Sequence, residues 1–283
     1  PHGHGKMTYA TNGQVYEGNW KDGRRHGHGE MTYANGNVYE GSWKDGRPHG
    51  HGKMNYADGD VYEGNWNDGA PHGHGEFTYV DGDFFVGILE IGKPHNGKMI
   101  FSNGQVYEGQ WKGGEPHGHG EFTYVGGDFF VGTFEIGEPH NGKMTYANGN
   151  VYEGDLQDDS PHGHGKMNYA DGDVYEGNWN DGAPHGHGEF TYVDGDFFVG
   201  ILEIGEPHNG KMTYANGKVY EGDLQDDSPH GHGKMNYADG DVYEGNWNDG
   251  TPHGHGEFTY VDGNFFVGIL EIGKPHNGKM IFS

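Results

Sequence analysis

The chain has 283 residues, of which 31% are hydrophobic and 58 are glycine, and 43 acidic against 17 basic side chains give a formal net charge of −26. That field excludes nucleic acid as a partner and opposes direct contact with an anionic membrane unless a cation bridges the two. Absence of cysteine excludes disulfides and thiol chemistry, no apolar run reaches the length of a membrane span, and the apolar content is too low for one large core.

Order comes from repetition instead. Near-copies of a unit of about 23 residues begin near positions 1, 25, 48, 71, 94, 116, 139, 161, 184, 207, 229 and 252, and a truncated copy fills 275–283. Larger blocks were duplicated as well, since 161–206 recurs at 229–274 with only Ala183/Thr251, Asp196/Asn264 and Glu206/Lys274 different. Each unit of such an array is stabilised chiefly by its neighbours, so the expectation is a single array over 1–283. Because the last copy stops after one strand, a longer array is expected.

The unit starting at Pro48 serves as the example. Its first strand, GKMNYA, and its second, DVYEGNW, both alternate apolar and polar residues around Ala57-Asp58-Gly59, a hairpin signature. A two-residue loop sets Met54 against Glu63, whereas a three-residue loop with Gly59 left-handed sets Met54 against Tyr62, which keeps apolar with apolar. The second register puts Gly50, Gly52, Met54, Tyr56, Tyr62, Gly64 and Trp66 on one face, with each Trp lying over a facing glycine, and His49, His51, Lys53, Glu63 and Asn65 on the other. Covariation among copies mostly agrees, with like charges opposed only at Glu30/Glu40. Lys53/Glu63 recurs at Lys6/Glu17, Lys98/Glu108, Lys143/Glu153, Lys166/Glu176, Lys211/Glu221 and Lys234/Glu244, while both members change at Glu76/Val86, Glu121/Val131, Glu189/Val199 and Glu257/Val267.

The segment YEGNW at 16–20 followed by KDGRRHGHG at 21–29 resembles the membrane occupation and recognition nexus (MORN) repeat, and the likeness runs through the whole chain. It implies an all-β fold, an elongated, solenoid-like antiparallel sheet of stacked β-hairpins, and non-catalytic roles in scaffolding, self-association and phospholipid binding. Two departures stand out. The third position of HGxG is usually a second His, and four units carry FFVG in place of YEG.

After the second strand comes the connector Asn67-Asp68-Gly69-Ala70. If it loops all four residues, Glu63 faces His74 of the next hairpin, and a second His should then appear only after a unit carrying Glu. The pairs Glu17–His28, Glu40–His51, Glu63–His74, Glu108–His119, Glu153–His164, Glu176–His187, Glu221–His232 and Glu244–His255 obey that rule, whereas units carrying Val86, Val131, Val199 and Val267 are followed by PHNG. The histidines therefore read as charge-assisted partners of Glu. A transition-metal ladder of His-x-His rings is the alternative, giving a His-rich metal-binding surface protein. Acidic stretches such as DGD at 58–60 and DLQDDS at 155–160 and 223–228 read as turn chemistry rather than calcium loops, for no terminal Glu completes a twelve-residue loop.

Every candidate acid or base recurs many times and none belongs to a unique constellation, so the sequence predicts no enzyme, no catalytic residue and no cofactor. On the face that elsewhere carries Glu and Asn, the FFVG units place Phe84, Val86 and Ile88, then Phe129 and Val131, then Phe197, Val199 and Ile201, then Phe265, Val267 and Ile269. Apolar residues outside a polar sheet mark an interaction surface. The expected function is a structural scaffold that binds protein, including a second copy as a lateral dimer or fibre. The runner-up is a phospholipid-targeting module of a larger protein.

Overall fold

The structure, a computed structural model, describes residues 1–283 and divides into two units, Pro1–His140 and Asn141–Ser283. Every element is a β-strand, and within each unit strands adjacent in sequence pair antiparallel.

In the first unit, strands Arg47–Asn55 and Val61–Asn67 form the hairpin expected from alternation, with Met54 opposite Tyr62, Lys53 opposite Glu63 and Gly50 opposite Trp66. Tyr56 N donates to Asp60 O at 2.9 Å and Gly59 N to Tyr56 O at 3.1 Å, which closes the loop on three residues, and Gly59 takes a φ of 106° that only glycine adopts without strain. Tyr16, Tyr39 and Tyr62 are wholly buried, and Trp20, Trp43 and Trp66 are buried on the same face. The rings interlock from repeat to repeat: Trp66 meets Tyr62 at 5.3 Å and Tyr39 at 5.0 Å, both edge-on. Such pairs contribute about 0.5–1.5 kcal/mol beyond the area they bury. Their polar atoms are satisfied locally, Tyr62 Oη donating to Asn65 O at 2.8 Å and Trp66 Nε1 to Gly52 O at 3.0 Å.

Beneath the rings runs a row of glycines, Gly52, Gly64, Gly75, Gly87 and Gly97 on successive strands. A Cβ at Gly64 would collide with Gly75 Cα and the Tyr62 hydroxyl, so the thin core of ring on backbone requires glycine here. The second unit repeats the plan. Tyr152 and Tyr175 are wholly buried over Gly154, Gly165, Gly177 and Gly188, and Tyr220 and Tyr243 over Gly222, Gly233, Gly245 and Gly256, with Leu156, Leu202, Leu224 and Leu270 standing where other repeats have Trp.

Both margins of each unit carry repeat-to-repeat bonds. At the hairpin loops, Asp60 Oδ1 accepts from Val80 N at 2.9 Å, and Asp173 Oδ1 from Val193 N at 2.8 Å. At the connectors, Gly69 N donates to Pro48 O at 3.0 Å and Gly92 N to Pro71 O at 2.9 Å.

Candidate interaction surface

The connector decides what the outer face presents. Asp68 and Gly69 take φ of 50° and 93°, a tight two-residue turn that pairs Asn67 with Ala70 and Trp66 with Pro71. Asn65 then lies opposite a bulge of three residues, His72-Gly73-His74, with Gly73 at φ 78°, and the ladder resumes two residues out of step as Gly64 opposite Gly75 and Glu63 opposite Glu76. The bulge brings Tyr62 opposite Phe77 and so keeps one apolar row continuous across the connector.

This overturns the four-residue connector and the Glu–His pairing. Glu17 faces Glu30 rather than His28, Glu40 faces Lys53 rather than His51, Glu63 faces Glu76 rather than His74, and Glu108 faces Glu121 rather than His119. In the second unit Glu153 faces Lys166 rather than His164, Glu176 faces Glu189 rather than His187, Glu221 faces Lys234 rather than His232, and Glu244 faces Glu257 rather than His255. The carboxylates turn to lysine instead, at 3.0 Å for Lys6–Glu17, 3.4 Å for Lys53–Glu63 and 3.2 Å for Lys166–Glu176. The rule linking a second His to a preceding Glu reflects bulge length. After Val86 the connector is one residue shorter, Ile88 pairs with Asn96 and Leu89 with Pro94, and His95 alone bulges. Where imidazole does meet carboxylate it is this single His, at 3.9 Å for His95–Glu90 and 3.5 Å for His276–Glu271. No group of three or more His, Asp or Glu converges to hold a metal ion.

The FFVG hairpins keep the inner face and change everything outside it. Phe85 and Leu89 are buried in the places of Tyr62 and Trp66, with the same glycine register. Outside, Val86, Val131, Val199 and Val267 are 37–38% exposed, Ile201 is exposed, and Phe84, Ile88, Phe129, Phe197, Phe265 and Ile269 are half-buried. The hairpin ends add Val80 at 69% and Ile91 at 82% exposure, and Val193 at 69% and Ile204 at 88%. Sequence reasoning missed these ends. Ile91, Ile136, Ile204 and Ile272 occupy the first turn position at φ near 50°, where the other connectors carry Asp or Gly. A β-branched residue there costs about 1–2 kcal/mol and, so exposed, recovers nothing within the chain.

The family model for the MORN repeat matches residues 1–14, 16–38, 39–61, 62–84, 107–129, 130–151, 152–174, 175–197, 220–242 and 243–265. The chain belongs to the MORN repeat family. The unmatched stretches 85–106, 198–219 and 266–283 each open within an FFVG strand, and that strand pairs antiparallel across the connector as in the matched MORN repeats but with one residue fewer in the bulge. No curated protein matches the chain. Among solved structures, the SAS-4 (dCPAP) TCP domain of Drosophila melanogaster, in complex with a proline-rich motif of Ana2 (dSTIL), is 15% identical over 70% of this chain and 90% of that one, with a TM-score of 0.28. The TCP10 domain of Danio rerio CPAP in complex with a STIL peptide is 16% identical over 100% and 94%, with a TM-score of 0.23. Virginiamycin B lyase of Staphylococcus aureus, with quinupristin, is 11% identical over 95% and 84%, with a TM-score of 0.15. Scores this low carry no functional argument.

In the MORN repeats the acidic DGD turns serve as fasteners. The first Asp bonds within its own loop, Asp60 N donating to Asp58 Oδ1 at 3.2 Å, and the second reaches the next hairpin through Val80 N. Asn37 and Asn150 make the same reach to Ala57 N and Ala170 N at 3.0 Å.

Proposed function

We propose that the chain is a non-enzymatic scaffold that binds protein and associates with itself through the outer faces of its FFVG hairpins. The observation that carries this reading is the concerted change in those hairpins: Glu becomes Val86, the turn Asp becomes Ile91 in a strained backbone, and the loop Ala becomes Val80, while the inner face stays apolar, buried and in the same glycine register. Strain and exposed apolar surface that give the isolated chain no stability are explained by a partner that covers them. In the second unit Val199 and Val267 lie six strands apart, about 29 Å at ~4.8 Å per strand, so one chain offers more than one contact. The test is the variant Val86→Glu, Val131→Glu, Val199→Glu and Val267→Glu, which restores ordinary repeat chemistry. Its circular dichroism is expected to match the parent while sedimentation falls to that of a monomer. Assembly unchanged in the variant rules the surface out.

A further inference from the structure

The rows flanking the exposed valines are not symmetric. Across the sheet the register reads Glu76–Val86–Lys98, then Glu189–Val199–Lys211 and Glu257–Val267–Lys279, so each valine has an acid on its N-terminal strand and a base on its C-terminal strand. Glu76, Glu189 and Glu257 each face another Glu on their remaining side, at Glu63, Glu176 and Glu244, and none of the three makes an ion pair within the chain. Lys98 lies 3.6 Å from Glu108 with both side chains largely exposed, an arrangement weak enough to be shared.

From this order we infer that the occupant of the stripe is a second copy of the same chain, packed face to face about a two-fold axis that runs parallel to the strands. Such an axis reverses the strand order of the second copy. Valine then lies on valine, each unpaired Glu meets the Lys of the other copy, and each Lys meets the other Glu. An axis across the strands does the opposite, setting Glu on Glu and Lys on Lys, and is excluded by repulsion. The three central rows are therefore self-complementary, although one row further out Glu63 meets Glu108 and the chain as a whole repels its copies at a net charge of −26. That opposition predicts weak association that salt modulates.

This inference rests on the self-association proposed above, and the experiment separates the two. One variant carries Glu76→Lys, Glu189→Lys and Glu257→Lys, and the other carries Lys98→Glu, Lys211→Glu and Lys279→Glu, both with Val131→Glu to silence the fourth stripe. Sedimentation velocity is run on each alone, on an equimolar mixture and on the Val131→Glu parent, with circular dichroism confirming the fold. Each variant alone opposes like charges and is expected to lose at least tenfold in association. The mixture is expected to recover parental association as a complex containing both chains. Variants that each assemble as the parent does, or a mixture that stays monomeric, overturn the two-fold register while leaving self-association standing if the parent assembles. A parent that is monomeric at every concentration removes self-association itself.

Discussion

Hairpin 47–67 and its neighbour 70–90 share one inner register and differ in what they carry outside. Inside, Tyr62 and Trp66 in one and Phe85 and Leu89 in the other are all buried above the same glycine row. Outside, Glu63, ion-paired to Lys53, becomes Val86, which forms no ion pair, and the turn Asp68 becomes Ile91. The fold is thus specified by ring, glycine and loop, which leaves the outer face free to be rewritten without disturbing the stack.

Alkali should break the comparison most strongly. Burial pushes the Tyr62, Tyr107, Tyr175 and Tyr243 hydroxyls up to about 12, and FFVG hairpins carry Phe in that place. The unfolded chain releases these protons near pH 10 while the folded chain holds them, so the stabilisation is complete below pH 10 and declines by about 1.4 kcal/mol per tyrosine and pH unit as pH rises to 12. Unfolding in that interval, followed by circular dichroism with tyrosinate absorbance, is expected to be cooperative and to begin in YEG hairpins by hydrogen exchange.

Next in size is the glycine row, where the two hairpins should behave alike. A Cβ at Gly64 meets Gly75 Cα, and one at Gly87 meets Asn96 O and Gly97 Cα, backbone atoms that cannot step aside. Gly64→Ala and Gly87→Ala are each expected to cost about 2–3 kcal/mol in urea unfolding. Unequal losses would show that the two insides differ after all.

A smaller difference separates Tyr62 from Phe85. Tyr62→Phe removes the donor to Asn65 O, 2.8 Å away, and is expected to cost about 1 kcal/mol by the same measurement. The smallest effect has the opposite sign. Ile91→Asp gives the left-handed turn position the residue most other connectors use and is expected to stabilise the chain by about 0.5–1 kcal/mol while weakening its association.

Hairpin registers were legible because alternation around Ala57-Asp58-Gly59 leaves only one loop length that sets Met54 on Tyr62. The connector register was not. Its turn was marked by Asp68-Gly69, but the step from Trp66–Pro71 to Gly64–Gly75 depends on a bulge at Gly73, and a chain with glycine at every second position in PHGHG offers several equally permissible places for it. The Glu–His covariation was real and its cause misassigned, since bulge length and outer-face chemistry change together in the same units. The fastening role of Asp60 also escaped, because a turn aspartate bonding its own loop and one bonding the next hairpin look identical in a single repeat. Comparison across repeats held the signal: Gln105 and Lys218 replace it and make no such bond.

The fasteners at Asp60 and Pro48 have a consequence for how such a gene changes length. Between copies that share the loop Asp and the spacing, such as those of Asp60, Asp173 and Asp241, the offset is the same, so an unequal crossover between them lands in phase and rejoins the loop margin. The near-identity of 161–206 and 229–274 is the trace of such an event. Because the duplicated block contains an FFVG hairpin, a single recombination adds another exposed valine, Val267 beside Val199, along with the length that carries it.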